Sequence, residues 1–403
     1  MDDQDLAKHS AIMLISTMAA NFFNYLYQLL MGRLLSKEDY GVLYGLLSLI
    51  YIVSVGGAAV QTSVTRYTSK LKAHKEYGKI RYLWDFSTSR TLLLGIVFFI
   101  VLSLLSPLVS QFLNLDNVWY VVLLALFLLF SFILPANMGF LMGLQKFIDF
   151  GSANALVSLL KLLLGVLLVL MGFGIYGGLL SLSLASLVVL IITFLVLQNA
   201  LKKKPETFNL KSIYSYSGLA LLAMFSFTTM TYLDVILAKH YLTPDAAGEY
   251  SALAVLGKII LFAPAGIALA MFPKTSENFE KRKAHSSILE KALLYTIAIG
   301  GFAALLFFLF PNELVWIMFG DKYPAIVPYM FRYGLAMLLF SLANLLMSYN
   351  LSIHKTSVAY LISLALVVQI ILLASVHSSI SDLTNSMLVS GMIATILMLL
   401  HLK

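Results

Sequence analysis

Residues 23–70 and 230–277 carry the same pattern, 207 residues apart. They align without a gap over 48 positions, and 11 are identical: Tyr25/Tyr232, Leu26/Leu233, Leu30/Leu237, Leu35/Leu242, Gly41/Gly248, Leu46/Leu253, Leu49/Leu256, Ile52/Ile259, Ala58/Ala265, Thr68/Thr275 and Ser69/Ser276. Each copy is an apolar run, a short polar turn and a second apolar run. In each turn a hydroxyl residue, Ser36 or Thr243, precedes acidic residues, which suits a helix N-cap. Two leucine-rich hairpins can look alike by composition. Tyrosine and glycine at matching positions are not what lipid selects by default, so the pattern reads as an internal duplication.

The duplicated unit has to be a membrane hairpin. The chain is 60% hydrophobic and 11% charged, with a mean hydropathy of +0.91, too much apolar surface for one water-soluble core. Apolar runs of about 20 residues recur along nearly its whole length. The spacing predicts twelve helices, at 10–32, 40–63, 85–106, 117–142, 153–172, 175–198, 214–239, 249–272, 289–310, 325–349, 356–376 and 383–402. The expected fold is an all-α polytopic membrane protein with two six-helix bundles. An even number of spans per half makes the repeats parallel, related by a pseudo-twofold along the membrane normal. The expected domains are 1–199, a cytoplasmic linker at 200–213, and 214–403. The acidic start MDDQDLAKHS does not suit a cleaved signal peptide, so the first run is expected to be retained. There is no cysteine, which excludes disulfides and thiolate metal sites.

Loop charge sets the orientation. The loops after the second, fourth, sixth, eighth and tenth helices, together with the termini, hold 18 of the 27 Lys and Arg residues. The opposite loops and rims hold Arg33, Lys37, Lys239 and Lys322. By the positive-inside rule both termini are expected in the cytoplasm, in the cell membrane, with Lys203 and Arg282 inside and Asp245 and Asp382 outside. The net charge of +8 is thus an orientation signal and a contact for membrane lipids, not for nucleic acid. The stretches 67–84 and 273–290 sit at equivalent places in the two copies, and each is expected to form an interfacial amphipathic helix.

Ionisable groups inside the spans point to function. Arg90, Lys161, Lys258 and Arg332 are cations at membrane depth, and Asp234 is an acid there. Lys161 falls about 12 Å into its helix, too deep for its stem to reach the surface easily. Asn21, Asn24 and Gln28 put carboxamides on one face of the first helix. A polar lumen shared by the two halves accounts for the charged set, while helix–helix hydrogen bonding accounts equally for the amides. Asp234 and Lys258 are reckoned about 7–8 Å and about 13 Å from the same membrane face, which brings them within a lysine's reach. Their counterparts in the first copy are Tyr27 and Tyr51, so acid and base occur together in one copy only. A salt bridge between them is expected in at least one state, with Asp234 available for ion or proton coupling. No phosphate-binding loop, nucleophile elbow or metal-ligand pattern is present, so neither enzyme activity nor a cofactor or metal is expected.

The segment GRLLSKEDYGVLYGLLSLIYIV, followed by a basic stretch beginning TRY, resembles the polysaccharide/oligosaccharide-lipid flippases of the multidrug/oligosaccharidyl-lipid/polysaccharide exporter superfamily. YLDVILAKHYLTPDAAGEYSALAVL resembles that family's seventh and eighth helices. The resemblance implies translocation of an isoprenoid-diphosphate-linked oligosaccharide from the inner to the outer leaflet. Its cationic cavity would draw on Lys258 and on Arg66 at the end of the second helix. Asn24 and Gln28 stand where peptidoglycan-precursor flippases carry a first-helix cation. Implied partners are the lipid-linked oligosaccharide and glycosyltransferases or a polymerase of the same pathway. The alternatives are a cation-coupled multidrug exporter on the same fold, which would favour acids in its cavity, and a membrane scaffold without transport.

Overall fold

A computed structural model of the chain describes residues 3–207, 218–282, 284 and 286–402. Residues 208–213 of the expected linker, Lys283 and the extreme termini lie outside these. The described residues form helices and connecting turns, with no strand among them. In chain order the helices are α1 (Asp3–Leu34), α2 (Lys37–Ala73), α3 (Tyr77–Leu104), α4 (Ser106–Phe112), α5 (Trp119–Gly143), α6 (Phe147–Leu168), α7 (Gly174–Ala200), α8 (Gly218–Tyr241), α9 (Pro244–Phe262), α10 (Ala265–Glu280), α11 (Ser286–Leu309), α12 (Pro311–Phe319), α13 (Met330–Ser352), α14 (Val358–Ser375) and α15 (Ile380–Leu400). Among the described residues, ten stretches are long and apolar enough to cross a membrane, by length and composition. One of them, Phe147–Ala200, has 54 residues. That far exceeds the ~20 that a bilayer needs. It folds into two helices because Gly172 and Gly174 take φ of 91° and 51°, which side-chain-bearing residues avoid. The protein is an all-α, multi-pass membrane protein.

The duplication is visible in the element boundaries. Lys37 and Pro244, 207 residues apart, open α2 and α9. Phe112 and Phe319, also 207 apart, close the short helices α4 and α12, which apolar run length alone did not reveal. The two helix starts are built differently. Ser36 Oγ accepts from the Asp39 amide at 3.0 Å, as expected of an N-cap. Thr243 makes no such bond, correcting the expectation; Pro244 opens α9 with its fixed φ instead.

The interfacial helices are also corrected. Residues 67–84 form no separate helix, since α2 continues to Ala73 and α3 begins at Tyr77. In the second copy the chain breaks, because Pro264 stands where the first copy has Gly57, and a proline there removes a helical amide donor. The resulting α10 buries Ala268, Met271 and Thr275 along one face and packs on α13.

Two compact units emerge. One comprises Met1–Leu35 and Val53–Tyr216, the other Ser36–Ile52 and Ser217–Lys403. The second unit thus includes the first half of α2, where the sequence reading kept 1–199 together. The reason is local: a side chain at Gly41 would place its Cβ 2.8 Å from the Gly248 amide nitrogen, so the missing Cβ lets α2 lie against α9. In the first unit a core around Trp84, Ile80, Phe140, Val189 and Leu197 ties α3, α5 and α7. Asn137 links them further, accepting from Trp84 Nε1 at 3.2 Å and donating to Thr193 Oγ1 at 3.2 Å. Of the ten apolar stretches, those of α3 and α11 are the least buried, at 17% and 28%, as lipid-facing helices would be.

Candidate substrate site

In the first unit, α1 and α6 pack together and bring Asn24 to Lys161. The Lys161 ammonium donates to Asn24 Oδ1. It also lies 4.7 Å from the centre of the Tyr27 ring, in cation–π range. Asn24 Nδ2 donates to Ser158 Oγ at 3.0 Å, which turns the amide oxygen toward the lysine. Tyr27 is held in turn, its hydroxyl donating to the Gly178 carbonyl on α7 at 2.9 Å. Ser158 and Lys161 are three residues apart on α6, and Asn24 and Tyr27 three apart on α1, so each helix presents its pair on one face.

In the second unit, Lys258 on α9 is buried, with 4% of its surface exposed. Its ammonium lies 4.1 Å from the Tyr232 ring centre and 5.1 Å from that of Tyr44, and donates to the Tyr44 hydroxyl at 3.4 Å. Tyr51 stacks on Tyr232 at 4.6 Å, completing an aromatic wall. Asp234 on α8 is wholly buried. Its Oδ2 accepts from Tyr333 at 2.6 Å and from Tyr250 at 3.0 Å, while its Oδ1 has no hydrogen-bond partner.

The expected Asp234–Lys258 salt bridge is absent from this structure. The register explains why. α9 begins at Pro244, five residues earlier than expected, so Lys258 lies fourteen residues into it, about 21 Å. Asp234 is only seven residues from the end of α8, about 10 Å. At that level it meets Tyr250, eight residues before Lys258.

The other expected site residues are not gathered here. Arg332 donates to Ser381 Oγ at 3.1 Å and Asn385 Oδ1 at 2.9 Å, joining α13 to α15. Arg90 is exposed on α3, 5.4 Å from the Phe86 ring centre. Asn21 and Arg66 are exposed, and Gln28 is half-buried. The missed members are Tyr27, Tyr44, Ser158, Tyr232, Tyr250 and Tyr333. The signal for the tyrosines was their placement inside apolar runs, where a hydroxyl needs a partner.

With the geometry established, comparison with known proteins identifies the family. The family model described as "Polysaccharide biosynthesis protein" matches residues 30–328. The chain belongs to this family. It is similar to two proteins of Methanocaldococcus jannaschii, the uncharacterized membrane proteins MJ1068 and MJ1375. The first is 22% identical, covering 78% of this chain and 67% of that protein. The second is 23% identical, covering 73% and 74%. Among solved structures, an inward-facing multidrug resistance MATE family transporter of the MOP superfamily superposes with a TM-score of 0.79 at 13% identity, over 94% of this chain and 92% of that one. The lipid II flippase MurJ, in an inward closed conformation, superposes with a TM-score of 0.71 at 15% identity, over 97% and 87%. These likenesses show the fold.

Proposed function

We propose that this family member is a flippase that carries an isoprenoid-diphosphate-linked oligosaccharide from the inner to the outer leaflet by alternating access, for cell-surface glycan synthesis. The observation behind this reading is that Lys161 and Lys258 are seated by neutral partners inside apolar helices. Each ammonium has three donors and spends only one on a protein acceptor. Such a group keeps its charge for an anionic ligand, and a diphosphate supplies one. Lys161 and Lys258 serve as point charges for phosphate oxygens, with Asn21, Asn24 and Gln28 as amide partners for sugar and Arg66, Arg90 and Arg332 as further cations. Asp234, with one free carboxylate oxygen, is the group for ion or proton coupling. The lipid tail needs no protein cavity, since it can stay in the bilayer. In this reading the protein sits in the cytoplasmic membrane with its termini inside, organised as two six-helix bundles, and works beside glycosyltransferases or a polymerase.

The test is reconstitution. Proteoliposomes are loaded with a fluorescent polyprenyl-diphosphate oligosaccharide, and its transfer between leaflets is followed by an impermeant quencher. Parallel vesicles report efflux of a fluorescent cationic drug. Flipping without drug efflux is expected; drug efflux without flipping supports the multidrug exporter instead. Orientation is tested separately by single-cysteine labelling, which is clean because the native chain has no cysteine. Cysteine at position 203 should resist an impermeant reagent in intact cells, and cysteine at position 245 should react.

A further inference from the structure

Lys202, Lys203 and Lys204 follow α7 in a short arch that is fastened at both ends to α3. On one side Leu201 is buried at 2% exposure, in the same core as Ile80, Leu83 and Trp84. Its carbonyl accepts from Arg81 Nη1 at 3.0 Å. Arg81 is itself fixed, by Asp85 at 3.1 Å and by the Trp84 ring at 4.7 Å. On the other side the Glu206 amide donates to the Gly78 carbonyl at 3.0 Å. The Glu206 side chain fills the notch left by the missing Cβ of Gly78, which would lie 2.5 Å from its carboxylate oxygen. Pro205 further confines Lys204 to extended backbone.

The three lysines are exposed, and among the described residues none has a hydrogen-bond or ion-pair partner. Of the acids of this unit, Glu76 pairs with Lys79, Asp85 with Arg81 and Asp149 with Lys146, while Glu206, at the far end of the arch, sets its carboxylate against Gly78 and forms no ion pair. Three like charges on adjacent residues repel. A free tail would spread them, yet this chain uses a core leucine, an arginine and a glycine notch to hold them together. The arch also sits where two membrane-spanning stretches end, directly after Ala200 and beside the start of α3 at Tyr77. At about 3.3 Å per extended residue, Lys202 to Lys204 stay within roughly 13 Å of the span's end, in and just beyond a headgroup layer about 5–8 Å deep.

We infer that the arch 202–204 is a preformed binding site for the headgroups of anionic phospholipids. It stands apart from the transported substrate and does not depend on the proposed function. Lysine ammoniums near an anionic leaflet are attracted additively, and fastening the backbone means that little order remains to be imposed on binding.

The experiment uses the full-length protein, purified in detergent with equal parts of phosphatidylglycerol and phosphatidylcholine. The ratio of the two lipids retained is read by mass spectrometry, so the orientation reached in cells has no influence. Wild type should be enriched in phosphatidylglycerol, less so as salt is raised. K202Q/K203Q/K204Q should lower the enrichment by at least about tenfold, and K202R/K203R/K204R should preserve it. Gly78→Val, which displaces Glu206 and leaves the lysines intact, should lower it by a smaller factor. Undiminished enrichment in the glutamine variant overturns the site. Unchanged enrichment in Gly78→Val overturns the role of the fastened arch. Loss of enrichment on adding inorganic phosphate, but not chloride at equal ionic strength, would reassign the arch to free phosphate and overturn the lipid assignment. Thermal melting of each variant, matched to wild type, separates these outcomes from misfolding.

Discussion

Lys161 and Lys258 solve one problem in two ways. Both place an ammonium among apolar helices, where desolvation is costly. In the first unit the charge rests on an amide oxygen, aimed by Ser158, with one tyrosine ring beside it. In the second it rests between two tyrosine rings and a weak hydroxyl contact, with a third tyrosine behind. Neither has a carboxylate partner. A carboxylate would stabilise the lysine more, but it would cancel the charge, and an incoming anion would have to displace it. Dipoles and ring quadrupoles lower the cost of burying an ammonium and supply no counter-charge. The one buried acid nearby, Asp234, is committed to Tyr250 and Tyr333 instead.

The comparison can be broken most directly at the charges. Lys258→Met and Lys161→Met should each reduce lipid-oligosaccharide flipping by about tenfold or more, with Lys258→Arg milder than Lys258→Met, measured in proteoliposomes at equal protein content. Normal flipping by both methionine variants would remove the shared role. The exchange Asp234→Lys with Lys258→Asp should not restore transport, because it removes the cation at position 258 and the carboxylate that accepts from Tyr250 and Tyr333. Recovery of wild-type flipping by the double variant would reinstate a simple ion pair. Tyr333→Phe should lower stability by roughly 1.5–3 kcal/mol, seen in denaturant or thermal unfolding, because it removes a hydrogen bond to a buried carboxylate.

Smaller effects sharpen the difference between the two seats. Asn24→Leu should cost flipping several-fold, since it removes the acceptor that holds Lys161 while the charge remains. Tyr232→Phe should be near neutral, because the ring persists. Tyr232→Leu should cost a few-fold, consistent with a cation–π contact of about 0.5–2 kcal/mol. If Phe and Leu at 232 behave alike, the ring does not support Lys258.

The helices were legible because lipid imposes a length: eleven of the twelve expected spans coincide with a single long helix each, give or take their ends. The exception is 249–272, which Pro264 divides into α9 and α10; proline identity was visible, but run length took no account of it. The sites were legible by type and not by pairing. A lysine deep in an apolar run announces itself. Its partner does not, since Asn24 and Lys161 stand 137 residues apart and only the packing of α1 on α6 joins them. Asp234 and Lys258 show the converse. Their proximity was reckoned from depth, but a five-residue shift in the start of α9 moved one by about 7–8 Å. Depth also fixes no direction around a helix, and Asp234 turned to Tyr250 and Tyr333. The tyrosines escaped notice because an aromatic in a membrane helix reads first as packing.

The contact of Gly41 with Gly248 has a consequence for how this chain can vary. The two glycines are the same position in the two copies of the repeat, and here they lie against each other. A methyl at Gly41 would strike the backbone of Gly248, and a methyl at Gly248 would strike the carbonyl of Lys37, so one close approach of α2 to α9 bars a side chain from both positions. Most duplicated positions are free to drift apart, as Tyr27 and Asp234 or Tyr51 and Lys258 have done. These two are bound to the same answer by one close approach of backbone to backbone.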